Sequence, residues 1–369
     1  MNATEAIVDF DDVDGLLAAD REGLLRAASM AGAQVRATAA ALDEGDLEPL
    51  KSDSPPRTVV WVAGRGNAET AGAMLAAALG GSASAPIVVA SEVPPWIGAL
   101  DVLIVAGDDP GDPALVAAAA TGVRRGSRVV VAAPFEGPLR DATAGRAVAL
   151  APRLPVPDDF GLTRYLAAGL ATLQMVDPGM RVDLSALADE LDAEAFRNSA
   201  GRELFTNPAK SLADRMSGRD VVMAGDNEAT LTVARHGAAV FLRVAHKAVT
   251  AVGLADALVA LRGGMGRASA ADGERSIFHD EQIDGPQPQR VRTFVLATDD
   301  ERPVVAARVN GLEHVDVINA EDVRELQDIS TESPTPAAAA PTPGRIEQQL
   351  AMLAVRLEMT AVYLKLVRG

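Results

Sequence analysis

The chain carries one local pattern twice, and that repetition constrains its fold more than any other feature. Val59-Val60-Trp61-Val62-Ala63-Gly64-Arg65-Gly66-Asn67 is an apolar run that breaks at glycine and enters an alanine-rich segment. Val221-Val222-Met223-Ala224-Gly225-Asp226-Asn227-Glu228 does the same in the second half. Each reads as a buried parallel strand, a tight turn and a helix N-terminus, the geometry with which α/β proteins hold an anion on free backbone N–H groups. Neither turn is rich in the serine, threonine and glycine that usually complete such a cradle.

The intervening sequence alternates as this frame requires. Strands are predicted at 58–63, 86–90, 101–106 and 128–133, with helices at 68–79 and 113–124, then a proline-rich loop at 134–157 and a helix at 165–175. After helical stretches at 184–191 and 208–216, strands are expected at 220–224, 249–252, 293–297 and 315–318, with helices at 229–245, 255–261 and 302–309. Such spacing implies right-handed crossovers and parallel sheets. A chain of 369 residues exceeds one ordinary core. Five segments are expected: a helical lead-in at 1–50, α/β domains at 51–178 and 179–327, a Pro/Ala/Thr linker at 328–344, and an amphipathic helix at 345–369. Ile346, Leu350, Leu353, Leu357 and Leu364 form a stripe on one face of that helix, which must dock on its own chain or on a second subunit.

Composition removes several function classes. The hydrophobic content of 48% with only 3% aromatics means a core of alanine, valine and leucine, suited to close helix-on-sheet packing. A net charge of −17 disfavours nucleic acid and anionic membrane surfaces as partners. The chain has no cysteine, hence no disulfide, thiolate metal site or cysteine nucleophile. No segment reaches the roughly 18 uninterrupted apolar residues of a membrane span, and Met1–Glu5 does not open a signal peptide. A soluble, cytoplasmic protein without metal or cofactor is expected.

Four places carry candidate chemistry. Gly64, Arg65, Gly66 and Asn67 let a ligand approach the backbone beside a cation, although any helix entry favours glycine. Gly107-Asp108-Asp109-Pro110-Gly111-Asp112-Pro113 places three aspartates where a phosphate reader would want hydroxyls and free N–H groups. Asp112 before Pro113 instead suits a helix N-cap. His236, Arg243 and Lys247 fall roughly on one helix face, the most cationic stretch for an anion or for acid–base work, or simply a solvated face. His279, between Phe278 and Asp280-Glu281, is the one histidine beside two carboxylates; a surface or interface loop explains it equally. No nucleophile elbow, Walker loop or complete dinucleotide fingerprint is present.

The two halves, the loop Ser276–Gly285 and the ending Ala361–Gly369 resemble the bifunctional phosphoglucose/phosphomannose isomerases, built from tandem sugar isomerase (SIS) domains, in particular a divergent actinobacterial TobH-like branch. The resemblance implies two doubly wound, three-layer αβα domains of parallel sheet, flanked by the N-terminal helical segment and the C-terminal helix. It also implies aldose–ketose isomerisation of a sugar phosphate by a glutamate acting through an enediol. The family's phosphate loop maps to Gly107–Asp112, its glycine turn to Gly64–Asn67, and its Asn-His-Asn-Glu motif to Gly253–Leu258. Arg164 is the nearest cation to its Pro-Arg pair. The family residues are replaced at each of these positions. The expectation is therefore a homodimeric protein that binds a sugar phosphate or related carbohydrate derivative with lost or strongly altered isomerase activity. The alternatives are an active isomerase with relocated catalytic residues (His236, Arg243 or His279), a non-enzymatic partner protein of mannose metabolism, and a purely structural interaction protein with no ligand.

Overall fold

The computed structural model describes residues 8–52, 54–265, 291–321 and 345–368. The apolar runs form two sheets. The first comprises β1 (Val59–Ala63), β2 (Ile87–Ala90), β3 (Val102–Ala106), β4 (Arg128–Ala132) and β5 (Ala147–Ala149), in the order β2-β1-β3-β4-β5. The second comprises β6 (Asp220–Gly225), β7 (Thr250–Gly253), β8 (Val291–Leu296) and β9 (Val315–Ile318), in the order β7-β6-β8-β9. Every pairing is parallel. In each sheet the first strand sits between the second and third, so the repeat extends from the turn to the topology.

Among the described residues the α-helices are α1 (Val13–Ala19), α2 (Leu24–Ala28), α3 (Ala31–Asp43), α4 (Asn67–Leu79), α5 (Pro113–Arg124), α6 (Gly137–Thr143), α7 (Leu162–Val176), α8 (Leu184–Arg197), α9 (Pro208–Met216), α10 (Glu228–Ala245) and α11 (Leu254–Arg262), followed by Arg302–Val309 and the last helix, Ile346–Arg368. Alternation along the strands assigns their faces. Val60 and Val62 of β1 join Leu103, Val105, Val129 and Val131 under Leu115, Ala119 and Val123 of α5. Val59 and Trp61 face the other way, into a core shared with α4, α7, α8, α9, α10 and the last helix. Met223, Phe294 and Leu296 of the second sheet enter the same core, while Ala224 and Val295 pack outward against Leu254 and Leu258 of α11. Each sheet is thus covered on both faces, as a parallel sheet requires.

Two expectations are corrected here. The segment expected to be a loop at 134–157 contains α6 and β5, and β5 adds a fifth strand through Val129↔Ala147 and Val130↔Val148. Three small residues, Ala-Val-Ala, are too short a run to show periodicity. The last helix docks on its own chain, one of the two outcomes expected, but it is not amphipathic, because every residue from Gln349 to Leu364 is buried. Its polar side has its own internal partners. Arg356 donates from Nε to Glu194 Oε1 (2.7 Å), from Nη1 to the Asn319 carbonyl (2.7 Å) and from Nη2 to the Ala320 carbonyl (2.9 Å). The linker expected at 328–344 and the loop carrying His279 lie outside the described residues, as does most of the Gly263–Gly285 loop.

Candidate functional site

In a doubly wound sheet the strand order reverses where adjacent crossovers leave in opposite directions, and the strand ends there open into a crevice. In the first sheet this point lies between β1 and β3. The Gly64 N–H donates to the Ala106 carbonyl at 2.8 Å, and a Cβ on Gly64 would lie 3.7 Å from Gly107 Cα, so the two turns touch. Gly66 has φ +82° with open space where a side chain would stand, and α4 begins there without a side-chain cap. Arg65 is exposed at the rim. Asn67 is buried, and its Nδ2 donates to the Asp158 carbonyl at 2.6 Å.

The opposite wall comes from the turn after β3 and the start of α7. Arg164 Nη2 donates to Asp108 Oδ1 at 2.7 Å and to the Tyr165 hydroxyl at 2.7 Å, and the Tyr165 hydroxyl in turn donates to the same Asp108 oxygen. The guanidinium lies 4.2 Å from the Tyr165 ring centroid. Its Nη1 is buried without a partner. Burial pushes the Tyr165 hydroxyl far above the ordinary tyrosine range; Asp108 and Asp158 add to this and Arg164 opposes it, so the phenol remains a donor. Burial, then repulsion from Asp108, raises Asp158 against the pull of Arg164. Asp109 accepts the Gly111 N–H (2.7 Å), and Asp112 caps α5 by accepting the Ala114 N–H (2.8 Å). The capping reading of Asp112-Pro113 therefore holds, and Asp108 is the aspartate of this turn that meets Arg164. Arg164 also borders a cavity of about 200 Å³ whose polar lining includes Gln34, Thr38, Asp46 and Arg153.

The second reversal, between β6 and β8, is crossed by the chain's own side chains. Asp226 pairs with Arg308, Asn227 closes a capping box with Thr230 and reaches Glu301, and Glu301 Oε2 accepts from Thr298 Oγ1 at 2.8 Å. Gly225 is required there because a Cβ would stand 2.2 Å from the Leu231 nitrogen of α10. Asn67 at the start of α4 and Arg243 near the end of α10 both reach the short turn Asp158–Phe160, the latter through Asp159 Oδ1 at 2.6 Å. With α4 packed on α10, the two helices therefore run antiparallel, and the two crevices open at opposite ends of the central layer.

α10 ends at Ala245, where His246 turns left-handed, so Lys247 lies beyond the helix; the three residues that helical spacing aligned have separate partners. His236 is buried, with Nε2 3.0 Å from Glu358 Oε1 of the last helix. Arg243 pairs with Asp159, and Lys247 donates to the Arg219 carbonyl at 2.6 Å. Gly253–Leu258 ends β7 and opens α11. Sequence reasoning missed Tyr165, Asp158 and Glu358. Tyr165 could have been singled out as one of only two tyrosines in the chain, adjacent to Arg164.

No protein-family model matches the sequence, and no curated protein matches it. Solved structures do match. A candidate phosphosugar isomerase from Clostridium difficile 630 is 11% identical, with 94% of this chain and 93% of that one covered and a TM-score of 0.62. Tagatose-6-phosphate ketose/aldose isomerase from Escherichia coli is 15% identical, with 100% and 95% covered and a TM-score of 0.60. A glucose-6-phosphate isomerase-like protein from Thermus thermophilus is 19% identical, with 98% and 96% covered and a TM-score of 0.53. With both parallel sheets and both strand-order reversals in place, the chain has the SIS fold of the phosphosugar isomerases.

Proposed function

We propose that this protein binds a sugar phosphate, or a related carbohydrate derivative, in the crevice between Gly64–Asn67 and Gly107–Asp109, with Arg164 and Tyr165 as the anion-facing donors and with isomerase activity lost or strongly altered. The observation that carries this reading is the Arg164–Tyr165 donor pair at the strand-order reversal, where Arg164 keeps a buried nitrogen without an acceptor. A guanidinium fork beside a neutral phenol suits an oxyanion. Loss of chemistry follows from the stretch Gly253–Leu258, which holds neither the histidine nor the glutamate of the family's motif. The same proposal includes SIS domains at 51–178 and 179–327, a phosphoglucose/phosphomannose isomerase relative of the TobH-like branch, and a cytoplasmic homodimer.

A second reading, an active aldose–ketose isomerase, is favoured by one observation: the raised Asp158 carboxyl at the crevice edge is the kind of group that serves as a proton-transferring base. His236 and Glu358 are a poorer choice, being buried on the central helices.

Melting curves with glucose 6-phosphate, fructose 6-phosphate and mannose 6-phosphate test the first reading. A ligand at 100 times its Kd stabilises the native state by about 2.7 kcal/mol, and Arg164→Gln should remove that gain. Flat curves across the three sugars would sink it. Turnover among the same sugars that disappears in Asp158→Asn would establish the second reading instead.

A further inference from the structure

We infer that Asp108 is an internal stand-in for the ligand's anion, held in the seat that Arg164 and Tyr165 form, so that Asp108 sets the threshold for anion entry to this crevice. The inference rests on the binding reading above and adds a residue that opposes binding.

Three observations carry it. The first is convergence: the Arg164 Nη2 and the Tyr165 hydroxyl both donate to one oxygen, Asp108 Oδ1. Two donors from consecutive residues of α7 thus meet at a single acceptor position above the end of β3. The second is incompleteness. Asp108 engages Arg164 through one oxygen and one nitrogen, while Arg164 Nη1 stays buried with no acceptor. A guanidinium is best satisfied by two parallel bonds to a carboxylate or phosphate, and leaving a buried donor unpaired is unfavourable. The seat is occupied but not filled. The third is accessibility. The side chains of Asp108 and Arg164 retain 25% and 15% exposure, and the neighbouring Gly66 leaves open space on the facing turn. Asp108 is on a turn rather than in a strand, so it can swing out without unzipping the sheet.

Charge gives the sign. A phosphate entering beside Asp108 meets a like charge, and the Asp158 carboxyl lies near enough to Asp108 to feel its repulsion. Replacing the Asp108 carboxylate with a neutral group removes that repulsion and releases both donors. The wild-type crevice should therefore admit only an anion whose remaining atoms also bind, such as a sugar phosphate, and should reject inorganic phosphate.

The test compares wild type, Asp108→Asn and Asp108→Ser by titration calorimetry with inorganic phosphate and with glucose 6-phosphate. Circular dichroism confirms that each variant is folded, and the serine variant covers the case in which asparagine is not. Phosphate affinity is expected to rise at least about tenfold in the variants, given the strength of a like-charge contact at a few ångströms, and Arg164→Gln in the Asp108→Asn background should abolish the gain. Unchanged or weaker phosphate binding in folded variants overturns the inference. If wild type binds the sugar phosphate and the variants gain nothing, the inference falls while the binding function stands. Should the variants bind and wild type stay silent at saturating sugar phosphate, Asp108 is confirmed as the occupant and the native binding function falls. Silence from all three proteins removes both.

Discussion

Arg356→Met tests whether the last helix is held by its buried polar side as firmly as by its leucines. Arg356 is 2% exposed and Glu194 is fully buried, so no solvent screening softens the loss. Methionine keeps most of the side-chain volume but strips Glu194 of bonds at 2.7 and 3.1 Å and leaves the carbonyls of Asn319 and Ala320 without those donors. Removing one partner of a buried ion pair costs about 3–5 kcal/mol. Arg197 (2.8 Å) and Asn198 (2.6 Å) still face the carboxylate, which places the expectation at the lower end, about 3 kcal/mol. Urea unfolding followed by circular dichroism reads this as a lower midpoint at unchanged slope.

The pH dependence of that loss is a stricter test. Burial opposes the charge on Glu194, but Arg356 and then Arg197 outweigh it and hold the carboxyl below its ordinary range. A depressed carboxyl contributes stability that is present above the unfolded pKa and is lost as pH falls through the folded one. The deficit of Arg356→Met should therefore be full near neutrality and shrink below about pH 4.3, the ordinary glutamate value. Adding Glu194→Gln to the variant should recover part of the loss by removing the stranded charge. A deficit under about 1 kcal/mol, the scale of a surface pair, or one that does not vary with pH, would refute the reasoning.

Three further outcomes are expected. Gly225→Ala forces a Cβ to 2.2 Å from the Leu231 nitrogen and should cost about 3 kcal/mol, the upper end of overpacking, whereas Gly81→Ala has open space and should melt like wild type; equal melting of the two would contradict the packing of α10 on β6. Burial raises the Glu358 carboxyl against the pull of His236, so its contribution to stability is complete at low pH and lost as pH rises through the folded pKa. Glu358→Gln should accordingly gain on wild type as pH climbs above the ordinary glutamate range, and a pH-independent difference in melting temperature would show the charge to be irrelevant. Truncation after residue 327 removes a helix buried along its whole middle, so the shortened chain should lose its cooperative transition; a soluble product with an unchanged midpoint would count against the shared core.

The strand and helix pattern was legible because buried strands and alanine-rich helices write their periods directly into the chain. The predicted bounds of α5, α9 and β9 match the structure residue for residue, and α5 and α9 each open on a polar N-cap followed by proline. The site was legible only as places. The turns after β1 and β3 touch at Gly64 and Gly107, and Arg164 reaches Asp108, but that Tyr165 and Arg164 share a single Asp108 oxygen is a matter of distance, and no spacing encodes it. The surroundings of His236 were not legible for a related reason. Its helical spacing from Arg243 and Lys247 suggests a common face, whereas burial against Glu358 depends on where a helix from far along the chain lies.

By itself the sequence determined the repeated strand-turn-helix frame, the parallel sheets and the absence of thiol chemistry, because these follow from local periodicity and residue type. Only the tertiary structure decided that the last helix, polar side included, runs through the common core, and that the Asp108 carboxylate accepts from both Arg164 and Tyr165. Both are pairings between distant residues, Glu194 with Arg356 at a separation of 162 positions and Asp108 with Arg164 at 56. A lone polar residue in a sequence looks solvent-facing. Whether it is buried and satisfied depends on a partner that folding alone supplies.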